Sequence, residues 1–135
     1  MSPTLTALCG FAGWTILLVF ALANYRASLA LTGKREVNAF SPDGADLPGF
    51  GQRLTRAHLN CLEFLPIFAA VALAAVASNN LAVTDPLAMV LLWARIGQSV
   101  VHIASVAPAA VLVRATIFIV QLGITLYWIY GIMSA

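Results

Sequence analysis

Arg53, Arg56, Asn60 and Glu63 follow one another at intervals of three, four and three residues. On a helix advancing about 100° per residue, they fall within an arc of roughly 80°. One face then offers two guanidinium groups, an amide and a carboxylate. Arg95, Gln98, Ser99, His102 and Ser105 share about 120° of arc in the same way. Arg114, Phe118, Gln121, Thr125 and Trp128 form a third stripe. Arginine forks onto carboxylates, and a glutamate holds an ammonium. Faces of this kind suit a small anion that also bears one cationic group. Each stripe has a plainer reading as well. Arg53 and Arg56 fit an exposed helix start with i,i+3 and i,i+4 pairing. Arg95 fits a structural buried ion pair, His102 a packing histidine, and Arg114 an interfacial anchor.

The elements that must carry these faces are membrane spans. The chain has 135 residues, 61% hydrophobic and only 9% charged. Its mean hydropathy is +0.94. A soluble domain carries roughly 25% charged residues, so the surplus apolar surface here calls for lipid. A span needs about 20 mostly apolar residues. Four runs qualify, at about residues 5–31, 61–78, 87–106 and 111–133. The fold class expected is all-α, an integral membrane four-helix bundle in one domain. The first run is too long for the core of a cleavable signal peptide and lacks a basic leader. Asn79 and Asn80 should stop helix two, Asp85-Pro86 reads as an N-cap with proline at the first helical position, and Pro108 should end helix three. Residues 32–52, with Gly33, Pro42, Gly44, Pro48, Gly49 and Gly51, form the one long loop.

Orientation follows from the basic residues. Lys34, Arg35, Arg53 and Arg56 lie in or after loop one, and Arg114 follows the third connection. The positive-inside rule puts these loops in the cytoplasm and both termini on the other side. The expected location is the bacterial inner membrane. Cys9 and Cys61 fall at opposite depths, too far apart for an intrachain disulfide. No Cys/His spacing resembles a metal site, and the basic residues form no nucleic-acid patch.

Charge inside a membrane costs at least ~2.5–3.5 kcal/mol at the bilayer centre, so such residues face protein or water. Arg95 needs a counter-ion, and Glu63 is the expected partner. Pro66 frees the Leu62 carbonyl at the depth of Glu63. The alanines at 69, 70, 72, 74, 75 and 77 mark helix two as the best buried, and Gly97 should allow close approach to helix three. Tyr127, Trp128 and Tyr130 are expected in an aromatic belt. Four helices alone hide so many charges poorly, so an oligomer with pockets between subunits is expected. Glutathione has two carboxylates, one ammonium and a thiol, and a guanidinium near that thiol favours the thiolate. The residues permit glutathione without singling it out.

Arg56-Ala57-His58-Leu59-Asn60-Cys61-Leu62-Glu63, followed by Pro66 and Phe68, closely resembles the helix-two signature of the MAPEG family. These are the membrane-associated proteins of eicosanoid and glutathione metabolism, and they include the microsomal glutathione transferases. Asn38-Ala39-Phe40-Ser41-Pro42-Asp43 and Ala94-Arg95-Ile96 resemble two further segments. The resemblance covers about residues 34 to 118. It implies a homotrimer that binds glutathione between subunits, near the cytoplasmic side, as a co-substrate and with no metal. Arg53, Arg56, Asn60 and Glu63 would grip the peptide, Arg95 would support them, and Arg114 would stabilise the thiolate. Gln98 and His102 stand where members often have histidine and tyrosine, and Phe118 where several have tyrosine. Cys61 replaces a frequent aspartate.

The function implied is that of a membrane-bound glutathione transferase or glutathione-dependent peroxidase acting on a small lipophilic substrate. A non-catalytic lipid-binding protein of the same fold is the alternative. A small four-helix transporter fits less well, because helix one carries Arg26 where a proton carrier needs an acid.

Overall fold

The chain forms four long α-helices: α1 (Pro3–Leu31), α2 (Gly49–Ala77), α3 (Leu81–Ala104) and α4 (Pro108–Met133). This computed structural model describes residues 1–47 and 49–135. Pro48, one of the expected loop breakers, lies outside the described residues. All four helices are long and apolar enough to cross a membrane. No strand occurs among the described residues. The outward faces are apolar, with Ile16, Leu17 and Phe20 on α1 and Leu112, Ile119 and Leu126 on α4 exposed. Surface of that kind is stable only against hydrocarbon or another apolar face.

α2 and α3 each pack on the three other helices, whereas α1 and α4 do not meet. The alanine-rich α2 therefore shares the centre with α3. An aromatic chain crosses this centre. Phe11 of α1 lies 5.7 Å from Phe68 and 6.1 Å from Phe64, and Phe68 stacks on Trp128 of α4 at 6.0 Å. Trp128 is fully buried here, not in an interfacial belt; Tyr127 and Tyr130 are exposed. Gly97 is not a point of close approach, since a Cβ there would meet nothing within 4 Å. Gly131 is one, because its Cβ would come within 2.6 Å of Val83 Cγ1.

Asn79 adopts a left-handed φ of 57° after α2 ends at Ala77, as a turn-forming asparagine can. Pro108 opens α4 rather than closing α3, where its missing N–H costs nothing. Asp85-Pro86 differs more. α3 starts at Leu81, so Asp85 is not its N-cap. Asp85 instead caps α1 from across the bundle. Its Oδ1 accepts from the Thr4 backbone N–H at 3.0 Å and from Thr4 Oγ1 at 2.6 Å, and Thr4 Oγ1 sits 2.7 Å from Thr84 Oγ1. A first-turn amide with no intrahelical partner is thus satisfied by a carboxylate 81 positions away.

At the other end, loop one is held by Arg35. Its guanidinium pairs with Asp46 at 2.5 Å and donates to the Asp46 carbonyl at 2.7 Å. Arg26 and Arg35 both lie over the Phe40 ring, at 5.8 and 5.7 Å. Asp43 accepts from Ser41 Oγ and the Ala45 N–H, and these bonds hold its carboxyl below the usual range.

Asp85→Ala should lower stability by about 2 kcal/mol, since it removes charge-assisted bonds to a part-buried amide and hydroxyl. Asp85→Asn, which keeps an acceptor, should lose less. Thermal unfolding in detergent checks this, and equal melting of Asp85→Ala and wild type would refute the cross-bundle cap.

Candidate functional site

Arg95 is the most deeply placed charge, only 1% exposed. Position 95 falls on the face of α3 turned to the bundle centre, beside Leu91, Leu92, Gln98 and Ser99, all buried. Its Nη1 donates to Asn60 Oδ1 at 2.5 Å. The rest of the guanidinium meets aromatic faces: Phe64 at 5.0 Å, Phe11 at 5.3 Å and Phe118 at 5.9 Å. Nε and Nη2 have no hydrogen-bond partner.

The expected Arg95–Glu63 ion pair does not form. Glu63 is exposed on α2, and Arg35–Asp46 is the one salt bridge among the described residues. The helical register explains the difference. Asn60 and Phe64 are the α2 residues that meet Arg95, and Glu63 follows Asn60 by three residues and lies further round the helix, away from the core.

Two adjoining cavities open beside Asn60. The larger, about 230 Å³, is lined by Asn60, Gln98, His102, Val111, Arg114, Ala115 and Phe118. The smaller, about 160 Å³, is lined by Asn60, Glu63, Phe64, Ile67, Phe118 and Leu122. Asn60 and Phe118 belong to both walls. Six of the nine residues singled out in the sequence thus line one two-part groove between α2, α3 and α4. Arg95 stands directly behind it through Asn60.

Arg53 and Arg56 line neither cavity. Arg53 Nε donates to the Ile103 carbonyl at 2.6 Å, satisfying an end carbonyl of α3. Arg56 is exposed, one helical turn before Asn60. Arg114 is half-buried in the larger cavity, and its Nη1 is buried with no partner. Arg114 thus brings to the cavity a guanidinium that can donate to an anionic acceptor.

The model of the MAPEG family matches residues 4–134. The chain belongs to the MAPEG family. No curated protein and no solved structure matches it significantly. MAPEG proteins are membrane proteins, and the family includes glutathione transferases and related enzymes. In this MAPEG chain the helix-two signature Arg56–Glu63 splits by depth. Cys61 and Ala57 point to the core, while Asn60 and Glu63 face the groove.

Gln121 is a residue whose role sequence spacing left undefined. It is fully buried, and its Nε2 donates to Gln98 Oε1 at 2.8 Å and to the Ile117 carbonyl at 3.3 Å. Its place on the Arg114–Phe118 stripe was the only available signal. The rings of Phe11 and Phe64 against Arg95 had no signal beyond apolar spacing. Cys61 Sγ lies 3.4 Å from Ser99 Oγ in the core, away from both cavities.

Arg95→Lys should fold but lose about 2 kcal/mol, because an ammonium cannot stack across three rings. Arg95→Met, apolar and of similar length, should be no less stable than wild type, since a buried unpaired charge contributes little net stability. Denaturant or thermal unfolding checks both; a Met variant weaker than the Lys variant would refute this account.

Proposed function

We propose that this MAPEG protein is a membrane-bound glutathione transferase or glutathione-dependent peroxidase that acts on lipophilic electrophiles. The observation that carries the reading is the two-ended groove. Arg114, with an unpartnered guanidinium nitrogen, stands at one end, and exposed Glu63 stands at the other. A molecule with an ammonium and an anionic sulfur matches that polarity. Its ammonium lies toward Glu63, and its thiolate toward Arg114. Asn60 and Gln98 supply amide contacts between them, and His102 and Phe118 complete the wall. Arg56, exposed one turn before Asn60, and Arg53 beyond it draw the ligand's carboxylates to the mouth. Arg95 holds Asn60 in place.

Arg114 supplies the chemistry by electrostatics. A fixed positive charge in a site of low dielectric lowers the thiol pKa, so the reactive thiolate is populated at neutral pH. The thiolate then attacks an electrophilic carbon, and the leaving group departs with the bonding pair. With a hydroperoxide, the sulfur takes the terminal oxygen and the O–O bond breaks. The alkoxide takes up a proton, and a second glutathione converts the sulfenic acid to a disulfide and water. No covalent bond to the protein is needed. The open groove and the apolar outer faces of α1 and α4 support a homotrimer as the working form. The charge distribution of the loops supports placing Arg114 near the cytoplasmic side, with both termini opposite.

A second reading has one observation in its favour. An apolar cleft of about 190 Å³ lies between α2 and α4, lined by Ala70, Val71, Ala74, Ile129, Ile132 and Met133. It suits an acyl chain and so fits a non-catalytic lipid-binding protein. Conjugation of a generic electrophile by the purified protein separates the readings.

Titration with glutathione should raise thiolate absorbance near 240 nm, roughly the wavelength at which thiolates absorb. Arg114→Ala should abolish that signal and reduce kcat/KM by about 100-fold, the usual loss for one preorganised donor. Arg114→Lys should retain part of both. Glu63→Gln should raise the glutathione Kd and leave the thiolate pKa of the bound state nearly unchanged. A wild type without thiolate signal would sink the mechanism.

A further inference from the structure

The chemistry behind the groove fixes which way round its two amides sit. A guanidinium nitrogen only donates, so Asn60 must turn its carbonyl oxygen to Arg95 Nη1. The Ile117 carbonyl only accepts, so the Gln121 atom 3.3 Å from it must be the amide nitrogen. That nitrogen also lies 2.8 Å from Gln98, whose facing atom must then be its oxygen. Both amide oxygens are engaged behind the wall. Among the described residues, neither the Asn60 nor the Gln98 NH2 group donates to another group of the chain. Both residues line the larger cavity. Arg114, which carries no acceptor, stands beside them. Arg95 and Gln121, 1% and 0% exposed, do not line that cavity and act only from behind.

We propose that Arg95 and Gln121 are positioning residues that hold Asn60 and Gln98 with their donors outward, so that the cavity selects an anionic acceptor over a cation of equal size. The group it accepts is a thiolate or a carboxylate. A ligand that brings a donor to this wall leaves two N–H groups facing another donor, which costs about as much as unpaired buried polar groups do. Glu63 and the smaller cavity take the ligand's cationic end. This polarity deepens the assignment of the groove as the ligand site and rests on it. It does not require that the ligand be glutathione.

The test uses the full-length chain in detergent and a matched pair of amphiphiles, dodecanoate and dodecylammonium, alongside glutathione. Calorimetry should show wild type binding dodecanoate about tenfold or more tighter than dodecylammonium, a factor of ten per bond-sized difference. Gln121→Leu lies outside the cavity and removes no charge. It frees the Gln98 amide to rotate and should shrink that preference at least threefold while the melting temperature stays near that of wild type. In spectra of 15N-labelled side-chain amides, the Asn60 and Gln98 NH2 signals should move with dodecanoate and the Gln121 signal should not. This second measurement decides the matter even where the leucine variant folds poorly. An unchanged preference in folded Gln121→Leu, or a shift of Gln121 in place of Gln98, would overturn the proposal. A wild type that ignores glutathione yet keeps the Gln121-dependent preference refutes the co-substrate assignment alone and supports the donor wall.

Discussion

A guanidinium held inside a membrane bundle without a carboxylate organises this molecule. Arg95 has one amide oxygen and three ring faces for company. Its burial demands neighbours from every helix. Phe11 comes from α1, Asn60 and Phe64 from α2, and Phe118 from α4. Removing a guanidinium from water is unfavourable, and aromatic faces offset only part of that. The geometry is therefore worth more to the site than to stability. Because Arg95 turns to Asn60 and the rings and not to an acid, Glu63 remains free to face the groove.

The two ends of the bundle are fixed by other means. Thr4, Thr84 and Asp85 tie the starts of α1 and α3 together. Arg53 binds the end of α3 to the start of α2, and Arg35–Asp46 closes loop one. The groove lies between these anchored ends, on helices rather than loops. Side chains on such rigid elements are held more precisely than side chains on loops. α4 fully buries only Gln121, Thr125 and Trp128, while Phe118, Leu122 and Ile129 pack half-buried against the core.

Much of this was legible in the sequence. Apolar runs of span length located the four membrane-crossing segments, because lipid tolerates few alternatives to a continuous helix. The start of α2 was missed, since the helix begins at Gly49, inside the expected loop of residues 32–52, where polar residues carry no span signal. Intervals of three and four placed Asn60 and Glu63 on one side of α2, and Gln98 with His102 on one side of α3. Pairings between helices were less legible. Arg95 and Glu63 are opposite charges on neighbouring spans, and simple Coulomb reasoning joins them. Register and depth decided otherwise, and neither can be read from one helix at a time. Asp85 shows the same limit. As an acid before a proline it reads as a local cap, yet its partner is Thr4. Gln121 looked like one more polar residue on a stripe; its contact with Gln98 gives it a role.

The absence of an Arg95–Glu63 pair bears directly on what the groove can hold. Had the two neutralised each other, the groove would keep Arg114 and lose its acid, and any small anion would fit equally well. With Arg95 turned to Asn60 instead, the groove has a donor-rich end and an acceptor end, joined at Asn60 and Phe118. A simple anion gains nothing from Glu63 and is repelled by it. A cation gains nothing from Arg114. A molecule with both charges gains at each end, and its length and orientation are set by the distance between them. Discrimination of this kind comes from the unfavourable pairings as much as the favourable ones. It follows from the rotation of one arginine toward an amide.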